Sequence, residues 1–267
     1  MMTVAELHGK LKPCESMEDL LTSDVFSAFK YCHPKEALIP FLELAICFDP
    51  HINQPPVFSD VLSAHYVFWP RSSSWKEPDL IIILKTTDGS NIALNVEAKY
   101  MSGKHNAEVD DKESVEPDHL SGDQLVAQYT DLKNSAFTDE VLIRELRLAQ
   151  RKYLFYVTAH YVPPLHDIEE TKESLSKSPF GGDVDKFFWL SWRSAWSVCE
   201  LRKGRQIPVL EDLRYLLEKK NLKQLSLWQE VGACESPVGF WIEERAFWRI
   251  VLPEGRLASP RYFWQSQ

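Results

Sequence analysis

Leu20, Leu21, Val25, Phe26 and Phe29 recur at helical spacing and predict a first amphipathic helix over residues 17–31. Ser16 followed by Asp19 has the form of a capping box with a shortened acid. Residues 36–48 are apolar nearly throughout and predict a buried helix, kinked at Pro40. The pattern then turns to strands. Residues 57–69 are rich in Val, Phe, Tyr and Trp. Residues 78–84 carry the unbroken run Leu80-Ile81-Ile82-Ile83-Leu84, as expected of a strand covered on both faces. Asp88-Gly89 marks a turn, and residues 91–99 form a third strand, completing a β-meander.

Further along, Leu125, Tyr129 and Leu132 place an amphipathic helix over 119–134, and a short helix follows over 140–151. Residues 152–161 alternate as a strand, 168–177 read as a helix, 187–190 as a short strand and 209–222 as a helix with Leu210, Leu213, Leu216 and Leu217 inward. The expected class is α/β. The chain divides into a core over 1–186 and an aromatic-rich, helical C-terminal extension over 187–267, packed on the same core because no Pro/Gly/Ser linker separates them.

Charge narrows the function. Thirty basic against 39 acidic residues give −9, which argues against binding nucleic acid through bulk charge or lying on anionic lipid. A local basic groove remains compatible with it. No apolar run reaches the ~20 residues of a membrane span, and residues 1–12 lack the apolar centre of a signal peptide, so a cytoplasmic protein is expected. Five widely spaced cysteines without a CxxC pair exclude a disulfide framework or zinc ribbon. There is no P-loop, dinucleotide fingerprint or GxSxG serine motif.

Candidate chemistry lies where the second and third strands meet. Asp79 opens the most apolar strand. Along the next one Ile92, Leu94 and Val96 face one way, and Ala93, Asn95, Glu97 and Lys99 the other. Adjacent strands therefore bring Asp79, Glu97 and Lys99 to one end of the hairpin. Two carboxylates suit a hard divalent cation such as Mg²⁺, and an ammonium beside them can orient water or stabilise charge growing on phosphorus.

Pro78-Asp79 followed by Glu97-Ala98-Lys99 resembles the PD-(D/E)xK nuclease superfamily, and the order helix, three-strand meander, helix, strand over residues 15–160 is similar to its restriction-endonuclease-like core. The resemblance implies a metal-dependent nuclease using Mg²⁺, with Mn²⁺ as substitute, on a nucleic acid, DNA being the expected substrate. It assigns metal binding to Asp79 and Glu97 and the nucleophilic water to Lys99. A glutamate of the first helix, Glu18 or failing it Glu15, would touch a second metal or its water. Gln128 with Tyr129 is similar to the glutamine/tyrosine motif of several branches, and Gln124 shares that helix face. The resemblance further suggests a bacterial defence role and a homodimer or partner subunit.

Plainer readings stand beside these. Asp79 can cap a turn, Glu97 and Lys99 can be a solvated pair, and the two glutamines can be ordinary helix positions. The same fold can also serve as a binding or regulatory subunit whose partner carries the chemistry, a reading the net acidity favours. Trp192 and Trp196, four apart with Arg193 between, suit core packing better than base stacking. Lys219, Lys220, Lys223, Arg202, Lys203 and Arg205 form the best basic patch. The acidic run over 106–118, beginning just after the proposed site, reads as a solvated insertion or as a polyanion lying in the nucleic-acid groove.

Overall fold

The computed structural model describes residues 17–52, 55–72, 77–100 and 123–224. The acidic run, Glu15, the Ser16 cap, residues 119–122 of the expected third helix, and Trp228, Trp241, Trp248 and Trp264 lie outside them. The described residues belong to one compact unit.

The elements are α1 (Met17–Lys30), α2 (Leu38–Leu42), β1 (Ile46–Cys47), β2 (Val61–Phe68), β3 (Leu80–Thr86), β4 (Asn91–Lys99), α3 (Gln124–Asn134), α4 (Glu140–Leu148), β5 (Ala149–Thr158), α5 (Leu165–Ser176), β6 (Phe187–Ser191), α6 (Trp192–Leu201) and α7 (Pro208–Lys219). The sheet order is β1-β6-β5-β4-β3-β2. β2, β3 and β4 are antiparallel, whereas β4, β5 and β6 run parallel and β1 closes the far edge antiparallel. Parallel neighbours need crossovers, and α3, α4 and α5 supply them.

The sheet is buried on both faces. Leu80, Ile82, Leu84, Ile92, Leu94 and Val96 pack with α1, α2, α6 and α7. Ile81, Ile83, Ala93, Leu154 and Tyr156 pack with α3, α4 and α5. The isoleucine-rich run of β3 and the expected alternation of β4 follow from this three-layer arrangement. The β3–β4 turn is held by Gly89 at φ 81°, by the Gly89 amide donating to the Thr86 carbonyl at 3.1 Å, and by the Ser90 amide donating to Asp88 Oδ1 at 2.9 Å.

One expected helix is only partly there. A 3₁₀ turn (Pro34–Glu36) leads into the five-residue α2, and the strand β1 takes the end of the run. An all-apolar run carries no period to tell helix from strand, and pairing of Ile46 with Trp189 and Cys47 with Phe188 decides for strand at its end. The helix expected over 140–151 stops at Leu148, because Asn91 of β4 pairs with Ala149 and draws the chain into β5 three residues early. Residues 187–224 of the expected extension supply the interior strand β6 and two helices of the compact unit. Trp192 and Trp196 are buried in the core. Among the described residues no helix is long and apolar enough to cross a membrane.

Candidate active site

The pairing of Leu80 with Val96 sets Asp79 and Glu97 one step further out on neighbouring strands, at the same sheet end. Asp79 is fixed there twice. Its carbonyl accepts from the Trp69 amide at 3.0 Å, and its carboxylate Oδ2 accepts from the Ala98 amide at 2.7 Å. Glu97 is almost fully buried, and both its oxygens are engaged. Oε1 accepts from Gln124 Nε2 at 2.8 Å and pairs with Lys99 Nζ at 2.8 Å, and Oε2 accepts from Gln128 Nε2 at 2.6 Å. Lys99 also reaches Glu18 Oε1 at 3.1 Å, while Glu18 Oε2 accepts from the Tyr100 amide at 3.0 Å. The structure thus brings Asp79, Glu97, Lys99, Glu18 and Gln128 together, and adds Gln124.

Both glutamines arrive through the capping of α3. Asp123 accepts from the Leu125 and Val126 amides at 2.8 and 3.2 Å and receives the Thr171 hydroxyl at 2.9 Å. At the other end Lys152 donates to the Leu132 and Lys133 carbonyls at 2.9 and 3.1 Å. The helix is thereby pinned at both termini with Leu125, Tyr129 and Leu132 in the core, and residues four apart on its remaining face meet Glu97.

Electrostatics follow from burial. Desolvation first, and the Glu97 charge second, push Asp79 up to about 8, against the Ala98 amide and Lys99. Desolvation also raises Glu97, with the Lys99 ammonium and the Gln128 amide opposing. Burial alone would lower Lys99, but the attraction of Glu97 and Glu18 outweighs it and holds the group above the ordinary lysine range. Lys99 is therefore an ammonium at neutral pH and acts as a donor rather than as a base. Three carboxyl groups face this one ammonium, and the crowding that raises Asp79 and Glu97 is what a hard cation would relieve. Asn95, on the Glu97 face of β4, is fully buried with neither side-chain polar atom bonded, and Gln128 Oε1 is likewise buried and unpartnered. The alternation of β4 placed Asn95 on this face; its lack of a partner depends on packing.

Asp79, Glu97 and Glu18 do not bring three donor atoms within 4.8 Å of one another. Among the described residues, the trio of acidic or histidine side chains whose donor atoms all lie within 4.8 Å of one another is His166, Asp167 and Glu170 on α5, not Glu18 with Asp79 and Glu97. That surface trio is accounted for by its own contacts: Asp167 accepts from the Tyr156 hydroxyl at 2.9 Å, and His166 pairs with Glu170. An open hollow of about 450 Å³ lined by Glu140, Ile143, Arg144, Arg147 and Leu148 lies on α4, beside the opposite end of β4.

The expected basic patch divides. Arg202 and Arg205 pair with Glu36, and Lys203 with Glu200. The turn after α7 instead comes to the site end of the sheet, where the Tyr100 hydroxyl donates to the Lys220 carbonyl at 3.0 Å and Trp192 Nε1 donates to the Lys99 carbonyl at 3.2 Å. Comparison of the chain with protein-family models, curated proteins and solved structures finds no match.

Proposed function

We propose that this chain is a divalent-metal-dependent nuclease with a PD-(D/E)xK-type core, hydrolysing phosphodiester bonds of DNA. The observation that carries the reading is the convergence of Asp79, Glu97 and Lys99 at one end of β3 and β4, with Gln124 and Gln128 behind Glu97. The order α1, antiparallel β2–β4, α3 and parallel β5 supports it.

Asp79 and Glu97 would hold Mg²⁺, or Mn²⁺ in its place; their hard oxygens fit it. The cation supplies neutralisation of the phosphate and acidification of water. Lys99, kept cationic and already bonded to Glu97 and Glu18, has one ammonium hydrogen left for the attacking water or for charge developing on phosphorus. Glu18 positions Lys99, and the two glutamines fix the Glu97 carboxylate. Purified protein incubated with plasmid and Mg²⁺ should nick or degrade it. Lys99→Ala should lose roughly 10²–10³ in rate, and Glu97→Ala all metal-dependent cutting. A Glu97→Ala protein cutting at the wild-type rate would remove the proposal.

One observation favours a second reading, a nuclease-fold binding or regulatory subunit. Both Glu97 oxygens are already satisfied by protein donors. Calorimetric titration with Mn²⁺ separates the two: heat that disappears in Asp79→Ala supports the enzyme, and no heat in the wild type supports the subunit.

A further inference from the structure

We infer that Tyr161 is a stacking platform for an unpaired nucleobase beside the active site, so that the preferred substrate is single-stranded or carries a single-stranded segment next to the cut. The inference rests on the nucleolytic reading above and deepens it.

The position is set by the parallel register. Lys99 of β4 pairs with Thr158 of β5, which pairs with Ser191 of β6. Tyr161 lies three residues beyond Thr158. With strands ~4.8 Å apart and at most ~3.5 Å per residue, its backbone is within roughly 15 Å of that of Lys99. The residue is 55% exposed, yet its ring is backed. The Arg193 guanidinium lies 3.5 Å from its centroid. That guanidinium is itself held, donating to the Asn221 and Lys223 carbonyls at 2.7 and 2.8 Å. Ser191 completes the brace, donating to the His160 carbonyl at 2.7 Å and accepting from the Arg193 amide at 3.2 Å.

An exposed tyrosine braced by a buried arginine is costly to arrange for packing alone. It presents a flat π-face whose orientation is fixed in advance, which a sequence-tolerant base contact needs. Charge complements it. The turn that grips Arg193 carries Lys219, Lys220 and Lys223, with Lys220 Nζ 5.6 Å from the Tyr100 ring centroid and Lys223 Nζ 5.8 Å from that of Trp196. A phosphate backbone leaving the Asp79–Lys99 site toward Tyr161 passes a lysine-bearing turn despite the net charge of −9. A duplex keeps its bases stacked on each other and offers no face to the ring, hence the preference for an unpaired strand.

The test is fluorescence anisotropy of a labelled oligothymidylate, and of a duplex of equal length, with the full chain in EDTA so that no cutting intervenes. Tyr161→Leu keeps apolar bulk but removes the π-face, and should weaken oligothymidylate binding on the order of ten- to a hundredfold while changing duplex binding little. Tyr161→Phe should bind as the wild type. Oligothymidylate binding undiminished in Tyr161→Leu overturns the inference; it is also the result expected if Tyr161, Val162 and Leu165 cover a protein partner instead. Wild-type protein that binds the strand through Tyr161 but cuts nothing with Mg²⁺ would refute the nuclease reading and leave the platform standing.

Discussion

Replacing Lys99 with methionine removes the single cation from among three carboxylates while keeping the length of the side chain. Both ion pairs go, at 2.8 Å to Glu97 and 3.1 Å to Glu18, and the buried Glu97 is left with only amide donors. Breaking a buried pair typically costs ~3–5 kcal/mol. Here a ceiling applies, because Glu97 can take up a proton instead of staying charged. At pH 7 that costs at most the distance from the ordinary glutamate value of 4.5, or about 3.5 kcal/mol at ~1.4 kcal/mol per pH unit. At pH 5 the ceiling falls below about 1 kcal/mol on the same scale. For a unit of this size about 3.5 kcal/mol corresponds to roughly 7–14 °C in Tm. Thermal melts in EDTA should therefore show Lys99→Met well below wild type at pH 7 and nearly level with it at pH 5. Adding Mg²⁺ at pH 7 should recover part of the loss, since a cation held by Asp79 and Glu97 replaces the missing ammonium. A Tm deficit equal at both pH values and indifferent to Mg²⁺ would refute the account of Lys99 as the counter-charge of a buried acid pair.

Two further outcomes are expected. Asp79 has a folded pKa of about 8 against 3.8 for the free group, so the folded chain binds more protons between those values. Metal-free stability should then fall as pH rises from about 4 to about 8, by up to ~1.4 kcal/mol per pH unit, and level off above. Glu97 acts with the same sign, whereas the stabilisation from Lys99 is fully present throughout that window. Tm measured across this range in EDTA should show the slope in the wild type and a clearly flatter one in Asp79→Asn. Separately, Gln128→Ala should reduce metal affinity or cutting roughly 10–100-fold with the fold kept by circular dichroism, and Gln124→Ala should do so less, since Gln128 makes the shorter bond to Glu97; undiminished cutting and affinity in both would leave the glutamines as ordinary helix positions.

The legible part of the site was local. A side chain's face on a strand alternates with period two, and a tight turn fixes which residues of a hairpin lie opposite. Hence Asp79, Glu97 and Lys99 could be placed together from Asp88-Gly89 and the two flanking strands, and the covered β3 from its unbroken isoleucines. Other features carried no local mark. Glu18 reaches Lys99 only because α1 packs beside the end of β4, 81 residues away. Gln128, with Gln124 on its face, was named only through the family resemblance, and both meet Glu97 because Asp123 and Lys152 fix the ends of α3.

By itself the sequence determined the elements with a clear hydrophobic period, the meander, and the acid–acid–amine grouping, because each depends on neighbours within one hairpin. Tertiary structure decided what depends on distant partners. Residues 46–47 became a strand through pairing with β6, where an aperiodic apolar run left the choice open. The basic residues that looked like one patch were divided, Arg202 and Arg205 being paired with Glu36 while the Lys219–Lys223 turn was tied to Tyr100 and Arg193 at the site end of the sheet. The physical reason is common to both: hydrogen bonds and ion pairs are satisfied by whatever the fold brings within about 3 Å, and sequence separation does not encode that distance once the chain turns back on itself.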